Sequence, residues 1–346
     1  MPFALRPHLL AGQVIPALPL ALNRARRWSE RHQRAVIRYY LDAGSGGLAV
    51  GVHSTQFAIR DPRIGLYEPV LRLAAETVRQ WLGPKLRPFA LIAGLCGHTP
   101  QALREARLAA AHGYHAGVLS LGAWIREPEK AVLAHCRRVA RTLPLIGFYL
   151  QPAVGGRDFS FRFWREFAEI PELVAIKIAP FNRYRTIDVV RAVIAARRDD
   201  VALYTGNDDN IIADLVTPFS FEGRTRHIVG GLLGQWGVWT ERAVALLNEI
   251  KSARRKPRLE SVWLSRNAAI TDANAAIFDP AHNFAGCLPG IHEVLRRQGL
   301  FASAACLDPQ ERLSPGQAAE ITRVTRAHPW LVDDDFVRQH RSRWLA

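Results

Sequence analysis

The sequence predicts an α/β fold: a (β/α)8 TIM barrel with a C-terminal helical extension. Short apolar runs alternate with amphipathic stretches as far as Lys251, giving eight strand–helix units in roughly 240 residues, the size of such a barrel. No Gly-x-Gly-x-x-Gly follows the first run, which counts against the runner-up, an open doubly wound sheet. Beyond Lys251 the chain reads as helical segments without obvious strands. The expected division is a barrel over residues 1–251 and a helical region over 252–346, packed on the barrel or placed at an oligomer contact.

Each element has its own signal. Residues 14–20 form a first apolar run whose prolines mark strand ends or an irregular position. A helix over 28–42 is opened by Ser29 and closed by Gly44. The second strand is 47–52, and its helix 63–81. The third strand is 89–93, after which Thr99-Pro100 starts a helix through His112 in the cap-then-proline order. Strands over 116–121 and 145–149 precede helices over 127–141 and 161–168. The sixth strand, 173–180, is a single apolar run containing one amine, the pattern of a strand buried on both faces. Its helix is 184–197. Strand 201–204 with helix 209–216, and strand 228–232 with helix 238–251, complete the barrel. Residues 252–259 are basic and proline-bearing, the composition of a linker. Helices follow at 290–298, stopped by Gly299, from Ser314 to near Pro329, and at 333–344. Asp333-Asp334-Asp335 is the negative charge expected at a helix start, not a metal site.

Composition narrows the function. The chain has 346 residues, 49% of them hydrophobic, with no apolar run of membrane-spanning length. Residues 1–6 lack the charged, apolar and small-residue regions of a secretory leader. The four cysteines, Cys96, Cys136, Cys287 and Cys306, are far apart and form no CxxC pair, as for reduced thiols. A cytoplasmic protein without a membrane partner is expected. The net charge of +15 comes from arginines spread along the whole chain. Its densest cluster, Arg254-Arg255-Lys256, is short and not interleaved with aromatics, so a solvated basic surface is expected and no nucleic-acid partner.

One lysine stands apart. Five lysines accompany 41 arginines, and Lys85, Lys130, Lys251 and Lys256 lie in polar or Pro/Gly-flanked contexts. Only Lys177 has apolar neighbours on both sides. Burial without a partner lowers an amine's pKa toward the neutral form, which a Schiff-base nucleophile requires. The alternative is a strand-end lysine paired with a carboxylate. Barrel chemistry sits at the C-terminal ends of strands. That rule selects Val52, His53, Ser54, Thr55 and Gln56 after strand two, Tyr149 at strand five, Lys177 at strand six, Thr205, Gly206, Asn207, Asp208 and Asp209 after strand seven, and Gly230 to Gln235 at strand eight. A phenol at Tyr149 can relay protons for an imine on Lys177. Ser54, Thr55 and backbone N–H groups can hold a carboxylate, and Gly206 and Gly230 let a ligand approach the backbone.

Tyr149-Leu150-Gln151-Pro152, with Val174-Ala175-Ile176-Lys177 placing the lysine 28 positions after the tyrosine, resembles the dihydrodipicolinate synthase and N-acetylneuraminate lyase superfamily. Residues 44–51, Ile92-Ala93-Gly94, Gly206-Asn207-Asp208 and the 290–299 helix add to the likeness, which covers roughly residues 10–300. The resemblance implies a class I aldolase acting on a pyruvate-type 2-keto acid, a homodimer or homotetramer needing no cofactor or metal. It implies that Lys177 forms the imine, Tyr149 relays protons, and Ser54 and Thr55 lie near the substrate carboxylate.

The departures carry information too. The family's Gly-Thr-Thr-Gly-Glu loop is Gly51-Val52-His53-Ser54-Thr55-Gln56-Phe57 here. The arginine that binds an aldehyde carboxylate is missing after Pro152, where Ala153 and Val154 follow, and Arg157 has the wrong spacing. The second relay tyrosine is replaced by Gly122-Ala123-Trp124, and the relay threonine by Leu20-Ala21-Leu22. The lysine-pathway synthase is therefore not expected, and Trp124 points to a larger or more aromatic acceptor. Asn207-Asp208-Asp209-Asn210 reads as a metal site or, in preference, a capped helix start. His53 reads as a general base or a hydrogen-bonded structural residue. Three functions stay open: a lyase or aldolase, a dehydratase or deaminase using the same imine, and a lapsed barrel that binds a ligand.

Overall fold

The computed structural model describes residues 3–83 and 87–346; Lys85 lies outside the described residues. In chain order, helix α1 (Leu5–Leu10) precedes β1 (Val14–Pro16), α2 (Glu30–Asp42), β2 (Gly47–Val50), α3 (Tyr67–Leu82), β3 (Ala90–Leu95), α4 (Thr99–Ala111) and β4 (Ala116–Leu119). Then come α5 (Glu129–Ala140), β5 (Leu145–Leu150), α6 (Phe161–Ala168), β6 (Leu173–Ala179), α7 (Arg183–Ala195), β7 (Ala202–Thr205) and α8 (Ile211–Val216). The antiparallel ribbon β8 (Phe219–Phe221) and β9 (Arg224–Arg226) precedes β10 (Gly230–Leu233) and α9 (Thr240–Ala253). Helices α10 (Val262–Phe278), α11 (Cys287–Arg297), α12 (Gln317–Ala327) and α13 (Asp334–Leu345) follow.

Eight parallel strands run in the order β1-β10-β7-β6-β5-β4-β3-β2. A parallel bridge from Ala17 to Ala49 joins the two ends, so the sheet closes into a (β/α)8 barrel. Alternation along each strand sorts the apolar residues into two cores. Ile146, Phe148, Ala175, Ala179 and Tyr204 belong to the cluster inside the barrel. Tyr149, Ile176, Ile178, Trp164 and Phe167 belong to the larger one between sheet and helices. A register irregularity opposite the Leu145–Ile146 step leaves an extra residue in β6, where Val174 and Ala175 both join the inner cluster, and so sets Lys177 opposite Phe148.

Sequence and structure part company in a few places. The first strand stops at Pro16, and the next residue, Ala17, makes the parallel bridge that closes the sheet. Ser29 precedes α2, but its hydroxyl meets His32 Nδ1 (2.8 Å) instead of a backbone N–H. Helix α1 had no periodic signal in six residues containing Pro7. It closes the N-terminal end of the barrel, with Leu9 buried inside and its carbonyl accepting from Tyr204 Oη (2.8 Å). The segment after Lys251 lies against the barrel: α10 packs on α8 and α12, and α13 packs on α2. Buried Asp333 ties α13 down by accepting from Tyr39 Oη (2.6 Å), Gln298 Nε2 (2.8 Å) and Glu241 N (3.1 Å). Among the described residues, no helix is long and apolar enough to cross a membrane.

Candidate active site

A cavity of about 90 Å³ lies at the C-terminal ends of the strands. Lys177, at the fifth position of β6, points into it. Its strand partner in register is Phe148, whose ring centroid lies 4.4 Å from Nζ. Among the described residues, no acceptor or carboxylate comes within hydrogen-bond or salt-bridge distance of the amine. Burial pushes its pKa well below that of an ordinary lysine, against the opposing pull of Asp208. The ring face beneath the amine favours the charged form, but it does not replace the lost water.

Gly206 makes room for this side chain. A Cβ there would sit 2.7 Å from Lys177 Cε and 2.7 Å from Ala179 Cβ. Two residues on, Asp208 reaches the same cavity. Gln235 N donates to its Oδ1 (3.2 Å), and its carbonyl accepts from Asn274 Nδ2 (2.6 Å). Burial raises the pKa of this carboxyl far above the usual carboxylate range, and the nearby Lys177 limits the rise.

The β2 loop contributes His53 and Ser54 to the cavity wall. Burial, and then the Lys177 charge, lower the His53 imidazole to about 4, so it is neutral at ordinary pH. Ser54 Oγ donates to Leu18 O (3.2 Å). Thr55 does not line the cavity. Its hydroxyl donates to Leu18 O (2.7 Å) and accepts from Gly51 N (3.0 Å), which fixes the loop that carries Ser54. Arg60 braces the same loop from behind, donating to Gly51 O (3.0 Å), Gly94 O (2.8 Å) and the buried Glu105 (3.0 Å).

Besides Thr55, four residues singled out by the sequence lie elsewhere. Tyr149 faces outward, away from Lys177, because alternate residues of a strand point to opposite faces and Phe148 holds the inward position. The Tyr149 ring packs on Trp164 (centroids 4.9 Å apart), and its hydroxyl donates to Asp158 Oδ1 (3.0 Å). Trp124 stacks on His135 (4.5 Å) and donates Nε1 to Gly97 O (3.2 Å), outside the cavity. Asn207 is buried in a bracing network, donating to Asp214 Oδ2 (2.9 Å) and Thr186 Oγ1 (3.1 Å) while accepting from Phe181 N (3.0 Å). Gly230 begins β10 instead of ending it, so it sits away from the C-terminal mouth. There it lets the Gln13 backbone approach within 2.5 Å of where a Cβ would be. Arg157 is spent on the carbonyls of Trp124 (3.1 Å), Ile125 (3.1 Å) and Glu127 (2.7 Å).

The rest of the wall was not foreseen. Phe278, Phe284, Cys287 and Ile291 come from the segment after the barrel, and Phe181 meets Phe284 at 5.9 Å between ring centroids. Nothing local marks these residues as site-forming, since only the packing of α10 and α11 brings them over the strand ends. Burial pushes the Cys287 thiol up, so it is not a ready nucleophile.

Fold and site thus define a (β/α)8 barrel with a lone amine in its C-terminal cavity. The chain has the fold of N-acetylneuraminate lyase and dihydrodipicolinate synthase structures over nearly its whole length. N-acetylneuraminate lyase from Fusobacterium nucleatum superposes with a TM-score of 0.71 at 16% identity, over 94% of this chain and 100% of that one. Dihydrodipicolinate synthase from Oceanobacillus iheyensis gives 0.70 at 17% identity, over 91% and 96%. A prophage protein of the dihydrodipicolinic acid synthase family from E. coli K12, in complex with pyruvate, gives 0.73 at 16% identity, over 92% and 99%. The sequence matches no protein-family model and no curated protein.

Proposed function

We propose that this protein is a class I lyase or aldolase that holds a pyruvate-type 2-keto acid as a Schiff base on Lys177. The observation that carries this reading is the amine itself, which lies in a small cavity with no acid bound to it and is shifted by burial toward the neutral nucleophile. The neutral amine attacks the keto carbon, and loss of water gives an iminium that draws electrons from the neighbouring carbon. The cavity that would receive the keto acid is lined by Ser54, His53 and Phe148 around the amine. The far wall is largely apolar and holds no arginine, which suits an acceptor without a second carboxylate.

Similarity to a pyruvate complex and to lyases supports the substrate class. The outward turn of Tyr149 favours a second reading, a barrel that still binds a keto acid but no longer turns it over.

Borohydride reduction in the presence of pyruvate or 2-oxobutyrate, with intact mass and peptide mapping, tests the first reading. An adduct on Lys177 that is absent from Lys177→Ala is expected. An adduct without consumption of keto acid and aldehyde supports the second reading. No adduct with either keto acid sinks the proposal.

A further inference from the structure

We propose that Asp208, rather than a tyrosine, is the proton carrier for the Lys177 imine; this rests on the Schiff-base reading above. Imine chemistry needs a group beside the amine that can both give and take a proton. The inward position of β5 beside Lys177 is held by Phe148, which has no proton to move, and the Tyr149 hydroxyl is directed at Asp158 on the other side of the sheet. The cavity wall therefore has to supply that group from another strand.

Its polar side chains are His53, Ser54, Gln151, Asp208 and Cys287, besides the lysine. Ser54 spends its proton on Leu18 O, and Gln151 does not titrate. The Cys287 thiol is held protonated, and the His53 imidazole is too weak a base to hold a proton near neutrality. Asp208 is the one carboxyl among the described residues of the wall. The backbone that carries it runs against the lysine stem, since Gly206 has no space for even a Cβ beside Lys177 Cε. One oxygen, Oδ1, is anchored by Gln235 N, and the described residues supply no hydrogen-bond donor to Oδ2. A fixed carboxyl with one open oxygen suits proton transfer. Its pKa is shifted upward and that of the amine downward, which brings the proton affinities of the two groups toward each other.

The steps balance. With the amine neutral, a proton sits on Asp208. Nζ attacks the keto carbon, and transfer of an amine proton to the former carbonyl oxygen gives a neutral carbinolamine. Asp208 protonates its hydroxyl, the carbon–oxygen bond breaks, water leaves, and an iminium faces a carboxylate. That carboxylate removes a proton from the adjacent carbon to give the enamine and is again the acid.

Proton exchange at that carbon isolates Asp208 from imine formation. Wild type, Asp208→Asn and Asp209→Asn are incubated with pyruvate or 2-oxobutyrate in D2O, with loss of the C3 proton signal followed by NMR and parallel samples reduced with borohydride. Asp209 lies outside this cavity and serves as the charge control. Wild type and Asp209→Asn are expected to trap and to exchange. Asp208→Asn is expected to trap on Lys177 on standing but to exchange at least about 100-fold more slowly. Exchange by Asp208→Asn within about 3-fold of wild type overturns the assignment and leaves the Schiff-base reading intact. No adduct in wild type overturns both. If Asp208→Asn neither traps nor exchanges, Asp208→Glu decides: restored exchange supports a carboxyl proton carrier, and its absence overturns the proposal.

Discussion

Replacing Gly206 by alanine tests the geometry of the candidate site with a single methyl group. The added Cβ would lie 2.7 Å from Lys177 Cε and 2.7 Å from Ala179 Cβ, about 0.7 Å inside the closest ordinary contact on both sides. Ala179 is part of β6 and cannot retreat without moving the strand, so the flexible lysine stem gives way. A displacement of that size moves Nζ off its line to the keto carbon. Misplacement by about 1 Å costs on the order of 100-fold in rate, and the overpacking itself costs about 1–3 kcal/mol of stability. The assay is a time course of borohydride-trapped adduct with pyruvate, read by intact mass well below the melting temperature of the variant, alongside thermal denaturation of both proteins. Gly206→Ala is expected to trap about 100-fold more slowly and to melt lower, by a few degrees. Trapping at the wild-type rate would refute the claim that this glycine sets the position of the amine.

Three other substitutions probe neighbouring features. Lys177→Met removes a half-buried amine that has no hydrogen-bond partner among the described residues and is expected to raise stability on the order of 1 kcal/mol. The folded-state amine pKa lies below its unfolded value, so between the two the folded protein holds fewer protons and wild-type stability rises with pH. The advantage of the variant is therefore largest near neutrality and shrinks toward about pH 10; an advantage that grows over that range in melting curves contradicts the assigned burial. Thr55→Val deletes the donor to Leu18 O and the acceptor of Gly51 N, and urea unfolding is expected to show a loss of about 2–3 kcal/mol; a loss near zero means the loop is held by other contacts. Tyr149→Phe removes only the bond to Asp158, so trapping is expected to stay within about 3-fold of wild type, whereas a collapse of about 100-fold would place the phenol in the cavity after all.

The barrel was legible because its strands are buried on both faces and read as continuous apolar runs, with turn and cap residues between them. Lys177 was legible for the same reason, as the one amine in such a run. The facing of Tyr149 was not. Which of two adjacent residues points inward depends on register, and a slip of one residue exchanges the faces. Here the irregularity at Leu145 and Ile146 shifts the pairing of β5 with β6, and no local motif announces it. Gly230 illustrates a different limit, since a shift in strand boundaries moves a residue from one end of the barrel toward the other. Phe278, Phe284 and Ile291 were hidden because their role depends on long-range packing of helices that carry no chemical signature of their own. The strand-end rule did pick out His53, Ser54, Gly206 and Asp208, all of which meet Lys177 around one cavity.

The far wall of the cavity has a consequence for how this protein can change. Lys177, Asp208 and Phe148 belong to the closed sheet or the loop leaving it, whereas Phe278, Phe284 and Ile291 belong to a stretch of chain added after the sheet is complete. On the proposed function, reactivity and selectivity thus occupy separate pieces of sequence. Residues 278–291 can vary, or be exchanged in the laboratory, to admit a bulkier or more polar molecule while the amine and its surroundings keep their geometry.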